Sequence, residues 1–195
     1  MGVVYSAYDE RLDRPIAIKL VRQERLDPAA QARMLREAQA LARLSHPNVV
    51  QVYEVGEFSG QIYLAMEYVR GETLRGWVKQ RSHASEAPDV EPILEHFLAA
   101  GEGLAAAHRA GMVHRDFKPD NVLIGGDGRP RVVDFGLARI GGRSRLEAAT
   151  RESHGELNVS MSRTGRIAGT PAYMAPEQHA GLPADARSDQ YAFCV

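Results

Sequence analysis

Apolar and polar residues alternate along the first part of the chain. Residues 2–8 and 15–21 are rich in β-branched and aromatic side chains, and the charged segment 9–14 separates them. This pattern predicts two strands joined as a hairpin. Alternation with a period of two places Ala17 and Lys19 on the same face of the second strand. The pattern therefore predicts a lysine beside a small residue on an otherwise apolar surface.

A helical pattern follows this hairpin. Asp27 and then Pro28 are typical of an N-cap and a first helical residue, and the apolar spacing predicts a helix that ends near Leu44. Glu37 falls within the apolar stripe of that helix. Because an unpaired buried carboxylate is costly, the sequence predicts that Glu37 has a partner.

The rest of the chain begins with strands and becomes mainly helical after Gly71. The predicted elements are strands at 49–55, 62–68, 122–124 and 131–133, and a helix at 89–110 that Gly111 ends. Residues 141–166 are polar and show no periodicity, which predicts a loop or a disordered segment. The expected fold class is α+β, with a strand-rich part ahead of a helical part.

Five short motifs that contain charged residues stand in a fixed order along the chain. They are Ala-Ile-Lys at 17–19, Glu37, His-Arg-Asp-Phe-Lys-Pro-Asp-Asn at 114–121, Asp-Phe-Gly at 134–136 and Ala-Pro-Glu at 175–177. One such motif alone is weak evidence, whereas five in this order are very specific. The set resembles the signature of the protein kinase family. Its residues are typical of the bacterial, Hanks-type serine/threonine branch of that family.

The resemblance implies a bilobal protein-kinase fold, with a small β-rich N-lobe that carries one long helix and a mainly α-helical C-lobe. The catalytic domain is expected to span 1–195, with 1–67 as the N-lobe, 68–71 as the hinge and 72–195 as a partial C-lobe. Of the three glycines in the family's glycine-rich loop only Gly2 is present, and the last helices of the C-lobe are absent. The domain is therefore expected to be truncated at both ends.

The resemblance also implies the chemistry of the catalytic loop. Asp116 is expected to accept the proton of the substrate hydroxyl or to orient that hydroxyl, and Lys118 to stabilise the transferred phosphoryl group. Asn121 completes the expected catalytic set. Asn121 and Asp134 are also the expected Mg²⁺ ligands, because hard oxygen donors suit that ion.

ATP is expected to lie between the two lobes. By resemblance Lys19 contacts the α- and β-phosphates, and Glu37 pairs with Lys19 to fix its position. Asp134 lies on the phosphate side as a metal ligand. The other expected ATP-binding residues are Gly2, Val4, Ala17, Met66 (the gatekeeper), Glu67 and Val69 (the hinge backbone) and Leu123.

His114 is interpreted as a packed core residue and not as an acid or a base. By resemblance it joins Leu41, Tyr53 and Phe135 in an internal apolar column. Asp189 resembles the helix aspartate that holds the catalytic loop in this family. His114 is therefore expected to have a structural role, and Asp189 to hold the catalytic loop.

Regulation is expected to involve Arg115, which stands directly before the catalytic aspartate. A guanidinium can pair with a phosphate through two hydrogen bonds, so this position suggests control by phosphorylation of the activation loop. Ser162 and Thr164 are the candidate acceptors, with ordinary solvated loop residues as the alternative. Thr170 is expected to be a fixed residue beside the acceptor site.

Composition narrows the partners and the compartment. The 195 residues include 24 Lys and Arg against 25 Asp and Glu, so the charge balance favours neither nucleic acid nor an anionic membrane. The single Cys194 cannot form an internal disulfide, and no run approaches the ~20 apolar residues of a membrane span. These features predict a cytoplasmic segment, whose parent protein could carry a membrane anchor elsewhere.

The expected function is transfer of the γ-phosphoryl group of Mg·ATP to Ser or Thr of protein substrates, with autophosphorylation of the activation loop. A homodimer is one arrangement that would allow this autophosphorylation in trans. One alternative is a truncated, inert kinase fragment or a nucleotide-binding pseudokinase. Another is a small-molecule kinase of the aminoglycoside type, whose catalytic loop usually has Gly where Arg115 stands.

Overall fold

The computed structural model describes residues 2–21, 28–84, 89–136 and 171–195. Its strands are β1 Val3–Asp9, β2 Arg14–Leu20, β3 Val52–Phe58, β4 Gln61–Glu67, β5 Gly71–Thr73, β6 Val122–Gly125 and β7 Pro130–Val132. Its helices are α1 Pro28–Arg43, α2 Leu74–Ala84, α3 Val90–Arg109, α4 Pro176–His179 and α5 Ala186–Cys194. Two short 3₁₀ segments lie at Pro119–Asn121 and Pro171–Tyr173.

The first four strands form an antiparallel sheet in the order β1-β2-β4-β3. The predicted hairpin is confirmed, because β1 pairs with β2 along its whole length. The register sets Val4 opposite Lys19 and Ala17 opposite Met66. Residues that face each other across strands share a side of the sheet, so these four side chains lie on the face that carries Lys19.

A β-bulge changes the direction of one predicted core residue. The pairing of β3 with β4 shifts between Val52 and Glu54, which leaves Tyr53 in the bulge. Tyr53 is 39% exposed and its ring lies under the Arg14 guanidinium, 3.7 Å from ring centroid to Cζ. The prediction that Tyr53 belongs to the internal apolar column is therefore wrong, and its neighbour Val52 is the buried residue.

The second part of the chain is mainly helical around a small sheet in the order β5-β6-β7. The long helix predicted at 89–110 is confirmed as α3, whose N-cap Asp89 accepts a hydrogen bond from the Glu91 amide at 3.2 Å. Gly111 follows it at φ +76°, a left-handed conformation that favours glycine. Across the described ranges, no helix is both long and apolar enough to cross a membrane.

The two lobes meet along a seam of backbone bonds at the Val132 end of β7. Val50 donates to the Val132 carbonyl at 3.0 Å, and the Val132 amide donates to the Asn48 carbonyl at 2.8 Å. The Asn48 side chain donates to the Pro130 carbonyl at 2.9 Å. The strand predicted to begin at position 49 therefore begins at Val52, and the residues before it are hydrogen-bonded to the C-lobe.

The apolar core continues through this seam. Leu41 and Val52 of the N-lobe belong to the same buried cluster as Leu104 and Phe135 of the C-lobe. Burial of each large apolar side chain contributes about 1.5–3 kcal/mol, so the shared core ties the lobes together. The predicted bilobal α+β fold is confirmed.

Candidate active site

The catalytic loop between α3 and β6 is held from below by one buried carboxylate. Asp189 of α5, 1% exposed, accepts hydrogen bonds from the backbone amides of His114 at 2.6 Å and Arg115 at 2.7 Å. The His108 ring donates to the same carboxylate at 2.8 Å. Asp185 caps the start of α5, which fixes where Asp189 stands. The expected role of Asp189 in holding the loop agrees with these contacts.

His114 is fully buried within the loop. Its Nδ1 accepts from the Asp116 amide at 3.3 Å, so its Nε2 carries the proton and donates to the Val133 carbonyl at 2.9 Å. Its ring centroid lies 4.8 Å from that of Phe135. Burial lowers the pKa of His114 below its ordinary value, although the nearby Asp189 carboxylate acts in the opposite direction. A neutral, packed imidazole matches the predicted core role.

The predicted catalytic residues lie together at the end of this loop. Lys118 Nζ lies 3.5 Å from Asp116 Oδ2, and the Asn121 side-chain amide donates to the Asp116 carbonyl at 2.7 Å. The Val133 amide donates to the Asn121 carbonyl at 2.9 Å, which links the loop to the segment leading to Asp134. In this arrangement the Lys118 ammonium lies near the Asp116 carboxylate. The Asn121 side chain is fixed to the same loop by its hydrogen bond.

A charged contact joins the N-lobe to the segment that carries Asp134. Lys19 Nζ lies 2.9 Å from Asp134 Oδ1, with the lysine side chain 14% and the aspartate side chain 44% exposed. Arg115 and Asp134 adopt φ angles of +66° and +61°. Left-handed backbone at a non-glycine residue is strained and concentrates at functional sites, so both residues are held there by their surroundings.

The predicted ion pair between Lys19 and Glu37 is not formed. Among the ion pairs of the described residues, Glu37 instead binds Arg115, with Nη1–Oε2 at 2.7 Å and Nη2–Oε1 at 3.1 Å. A planar guanidinium offers two parallel donors that match the two carboxylate oxygens, whereas an ammonium is a point charge. Arg115 therefore forms the ion pair with Glu37, and Lys19 forms one with Asp134. Glu37 has the partner that its position requires, but the partner is a different one.

The donor set for a metal ion is small and oxygen-based. No cluster of three or more His, Cys, Asp or Glu side chains suited to a metal occurs in the part of the chain that the structure describes. The Asn121 side-chain nitrogen donates to the Asp116 carbonyl, so the side-chain oxygen of Asn121 is the atom that could bind a metal ion. Asn121 and Asp134 fit Mg²⁺, which takes one or two protein oxygens together with substrate phosphates.

The predicted adenine-side residues lie around the junction of the lobes. Val4, Ala17 and Met66 share one face of the sheet, and Leu123 lies on β6. Glu67 ends β4, and Val69 follows it in the connecting segment. A Cβ at Gly2 would lie 2.2 Å from the Leu20 carbonyl oxygen, so only glycine fits this edge.

A groove of about 960 Å³ lies on the opposite, outer face of the sheet. Apolar side chains of β2 and the rings of Tyr53 and Tyr63 line it, together with Arg14. It contains none of the predicted site residues, because period two sends Ile16 and Ile18 away from Lys19. The geometry of the candidate active site therefore rests on the contacts at the catalytic loop.

Sequence reasoning missed two arginines beside the site. Arg75 of α2 binds both oxygens of Asp120 at 2.9 and 2.8 Å and donates to the Tyr173 hydroxyl at 2.7 Å. Arg131, 6% exposed, pairs with Asp127 and with Glu67. The sequence feature that could have identified Arg131 is its position as a charged residue in a short, otherwise apolar strand. The expected regulatory residues Ser162, Thr164 and Thr170 lie outside the described residues.

The fold and the site together define an architecture of two lobes with charged contacts at their junction. The whole chain, residues 1–195, matches the family described as the protein kinase domain. The chain belongs to this family.

Curated bacterial relatives match nearly the whole chain. A probable serine/threonine-protein kinase of Streptomyces coelicolor is 40% identical over 98% of the chain and 27% of its own length. The serine/threonine-protein kinase PknL of Mycobacterium tuberculosis is 41% identical over 100% of the chain and 44% of its own length. The chain thus spans less than half the length of these relatives.

Solved kinase structures share the fold. The PknI kinase domain of Mycobacterium tuberculosis, in a form with one cysteine-to-alanine substitution, superposes with a TM-score of 0.68 at 31% identity. The match covers 99% of the chain and 66% of that structure. The apo form of PpkA-294 gives a TM-score of 0.69 at 26% identity, over 98% of the chain and 67% of that structure.

Proposed function

We propose that this chain transfers the γ-phosphoryl group of Mg·ATP to serine or threonine hydroxyls of protein substrates. The observation that carries the proposal is a set of two groups: Asp116, Lys118 and Asn121 on the catalytic loop, and the Lys19–Asp134 pair between the lobes. The backbone bond from Val133 to Asn121 links the loop to the segment that carries Asp134. Phosphoryl transfer needs mainly positioning and neutralisation of charge, and these two groups supply cations, a carboxylate and oxygen donors. The names of the curated relatives support the serine/threonine acceptor.

Asp116 is the proposed proton acceptor. The acceptor oxygen forms a bond to the γ-phosphorus, the bond from that phosphorus to the β–γ bridging oxygen breaks, and ADP leaves. The hydroxyl proton passes to the Asp116 carboxylate, and Lys118, 3.5 Å away, balances charge on the transferring group. The Asn121 bond to the Asp116 carbonyl keeps the loop in place during this transfer.

Lys19, Asn121 and Asp134 are the proposed phosphate side of the site. Asn121 and Asp134 would hold Mg²⁺, which neutralises phosphate charge when it is bound. Lys19 would exchange its Asp134 contact for the α- and β-phosphates, because phosphate oxygens offer a stronger anionic partner. Val4, Ala17, Met66 and Leu123 would enclose the adenine, with the backbone of the hinge as its polar contact.

Arg115 is the proposed point of regulation. A phosphate on Ser162 or Thr164 would compete with Glu37 for the Arg115 guanidinium, because both anions bind it through two hydrogen bonds. Autophosphorylation of that segment in trans, within a homodimer in the cytoplasm, would supply such a phosphate.

The proposal is tested by incubating the chain with Mg·[γ-³²P]ATP and a basic acceptor protein, followed by phosphoamino-acid analysis. Label on serine or threonine that Asp116→Asn removes is the expected result. Label on tyrosine, or only on an added aminoglycoside, would replace the proposed acceptor. A folded chain that transfers no label at all would be an inert fragment, and the proposal would be wrong.

A further inference from the structure

The hairpin of β6 and β7 is fixed to one end of the segment that joins the lobes. The Gly126 amide donates to the Arg70 carbonyl at 3.0 Å, and Gly71 pairs with Gly125. A Cβ at Gly71 would lie 1.8 Å from the Ile124 carbonyl oxygen, so the two backbones are in direct contact. The C-lobe end of the connecting segment is thus anchored through its backbone.

Arg131 connects the same hairpin to the other end of this segment. Its side chain is 7% exposed, and its Nε lies 2.8 Å from Oε1 of Glu67, the last residue of β4. This contact is an ion pair between a buried guanidinium and a carboxylate of the other lobe. One hairpin therefore holds both ends of the hinge.

Asp127 fixes Arg131 from the opposite side. Arg131 Nη1 donates to Asp127 Oδ1 at 3.0 Å, and Nη2 donates to Oδ2 at 2.8 Å. A Cβ at Gly125 would lie 2.7 Å from Arg131 Nη1, so the guanidinium packs directly over this glycine. A buried charge is tolerated when it is well paired, and here two carboxylates compensate one cation. The hydrogen bond from Arg131 also lowers the pKa of Asp127.

We infer that Arg131 is a positioning residue for nucleotide binding, acting through the bridge Asp127–Arg131–Glu67. Glu67 is adjacent to Met66 at the predicted adenine site, and Arg131 is paired with Leu123 on the neighbouring strand. Arg131 also lies three residues before Asp134 on the same segment. The bridge thus links the two walls of the cleft through side chains. This inference rests on the proposed function, because it requires a nucleotide in that cleft.

Breaking the link at Glu67 would remove the side-chain contact between the N-lobe end of the hinge and the β6–β7 hairpin. The Glu67 backbone would stay paired with β2 and bonded to the Gln51 carbonyl, and the backbone contacts at Gly71 would also remain. A bound nucleotide touches both walls of the cleft. In the variant it would have to order the hinge, which the intact bridge already orders in the parent chain. Preorganisation of a site improves affinity by removing that cost. The expected consequence is weaker nucleotide binding with little change in binding of the acceptor protein.

The test is the Kd of a fluorescent, ribose-labelled ADP for the 195-residue chain and for the variants Glu67→Gln, Arg131→Met and their combination. Each single variant is expected to raise Kd roughly 5- to 10-fold, which lies within the range of interaction energies between neighbouring residues. The double variant is expected to be no weaker than the weaker single variant, because both changes break one bridge. Arg129→Met is the matched control, since Arg129 lies 3.6 Å from Asp127 on an exposed turn, and its Kd should stay within about 2-fold.

Thermal unfolding of the same proteins separates positioning from stability. If Glu67→Gln and Arg131→Met lower the melting temperature but bind nucleotide with the parent Kd, the role is only structural and the inference is wrong. Additive effects in the double variant would also overturn it, because they would show two independent sites of action. If the parent chain binds no nucleotide, the proposed function fails together with this inference, whereas parent binding with unaffected variants removes this inference alone.

Discussion

The catalytic loop and helix α1 are attached to the rest of the molecule in different ways. The loop is held by backbone amides that donate to Asp189, a carboxylate that is 1% exposed. Helix α1 reaches the loop through the Glu37 side chain, which is 37% exposed, and Arg115. Buried bonds to backbone specify one arrangement, whereas ion pairs near solvent can change partner at small cost. The loop is therefore the fixed part of the site, and the Glu37–Arg115 contact is the adjustable part.

The largest expected effect comes from removing the buried anchor. Asp189→Ala would leave the His114 and Arg115 amides without their acceptor in a buried place. We expect a loss of about 3–5 kcal/mol in the free energy of unfolding, measured by urea denaturation. Asp189→Asn keeps the size of the side chain and one acceptor oxygen, so its loss should be smaller. An unchanged urea midpoint for Asp189→Ala would contradict the account of the loop.

A pH effect should arise from His114 in the same region. Burial lowers its pKa below 6.5 in the folded chain, so below that pH the unfolded chain binds a proton that the folded chain does not. Stability is therefore complete above pH 6.5 and falls as the pH drops below it, by at most about 1.4 kcal/mol per pH unit for one group.

Urea denaturation between pH 7.5 and 5.5 measures this slope. The His108 ring donates to the same Asp189 carboxylate, so the series should be repeated with His108→Gln. Persistence of the slope in that variant assigns it to His114. Stability that rises as the pH falls would reverse the predicted sign.

The smallest expected effect comes from the adjustable contact. Glu37→Gln removes a partly exposed ion pair, so it should lower the free energy of unfolding by about 1 kcal/mol or less. Amide hydrogen exchange should become faster in α1, while the amides of His114 and Arg115 keep their protection through Asp189. Faster exchange at the loop to the same degree would show that α1 and the loop are one unit.

Sequence reasoning succeeded where local pattern and buried backbone contacts decide the structure. The hairpin, the end of α3 at Gly111 and the buried, packed His114 follow from alternation, capping and burial. It failed at Tyr53, because a bulge shifts the side-chain direction by one residue and leaves no clear mark in the sequence.

Ion-pair partners were the second kind of failure. The need of Glu37 for a partner was predicted, but the choice between Lys19 and Arg115 depends on distances between the lobes. The same holds for Arg131, whose partner Glu67 is 64 positions away in the sequence and in the other lobe. Charge alone does not select among partners brought together by the fold.

The most direct test of the account is the initial rate of phosphate transfer from Mg·ATP to a protein acceptor, compared for Asp116→Asn and Glu37→Gln on folded chains. The account predicts that Asp116→Asn reduces the rate by about 10²–10⁴-fold, because it removes the proton acceptor on the fixed loop. Glu37→Gln should leave a measurable rate, because it alters only the adjustable contact. A rate for Asp116→Asn equal to that of the parent chain would contradict the assignment of the site.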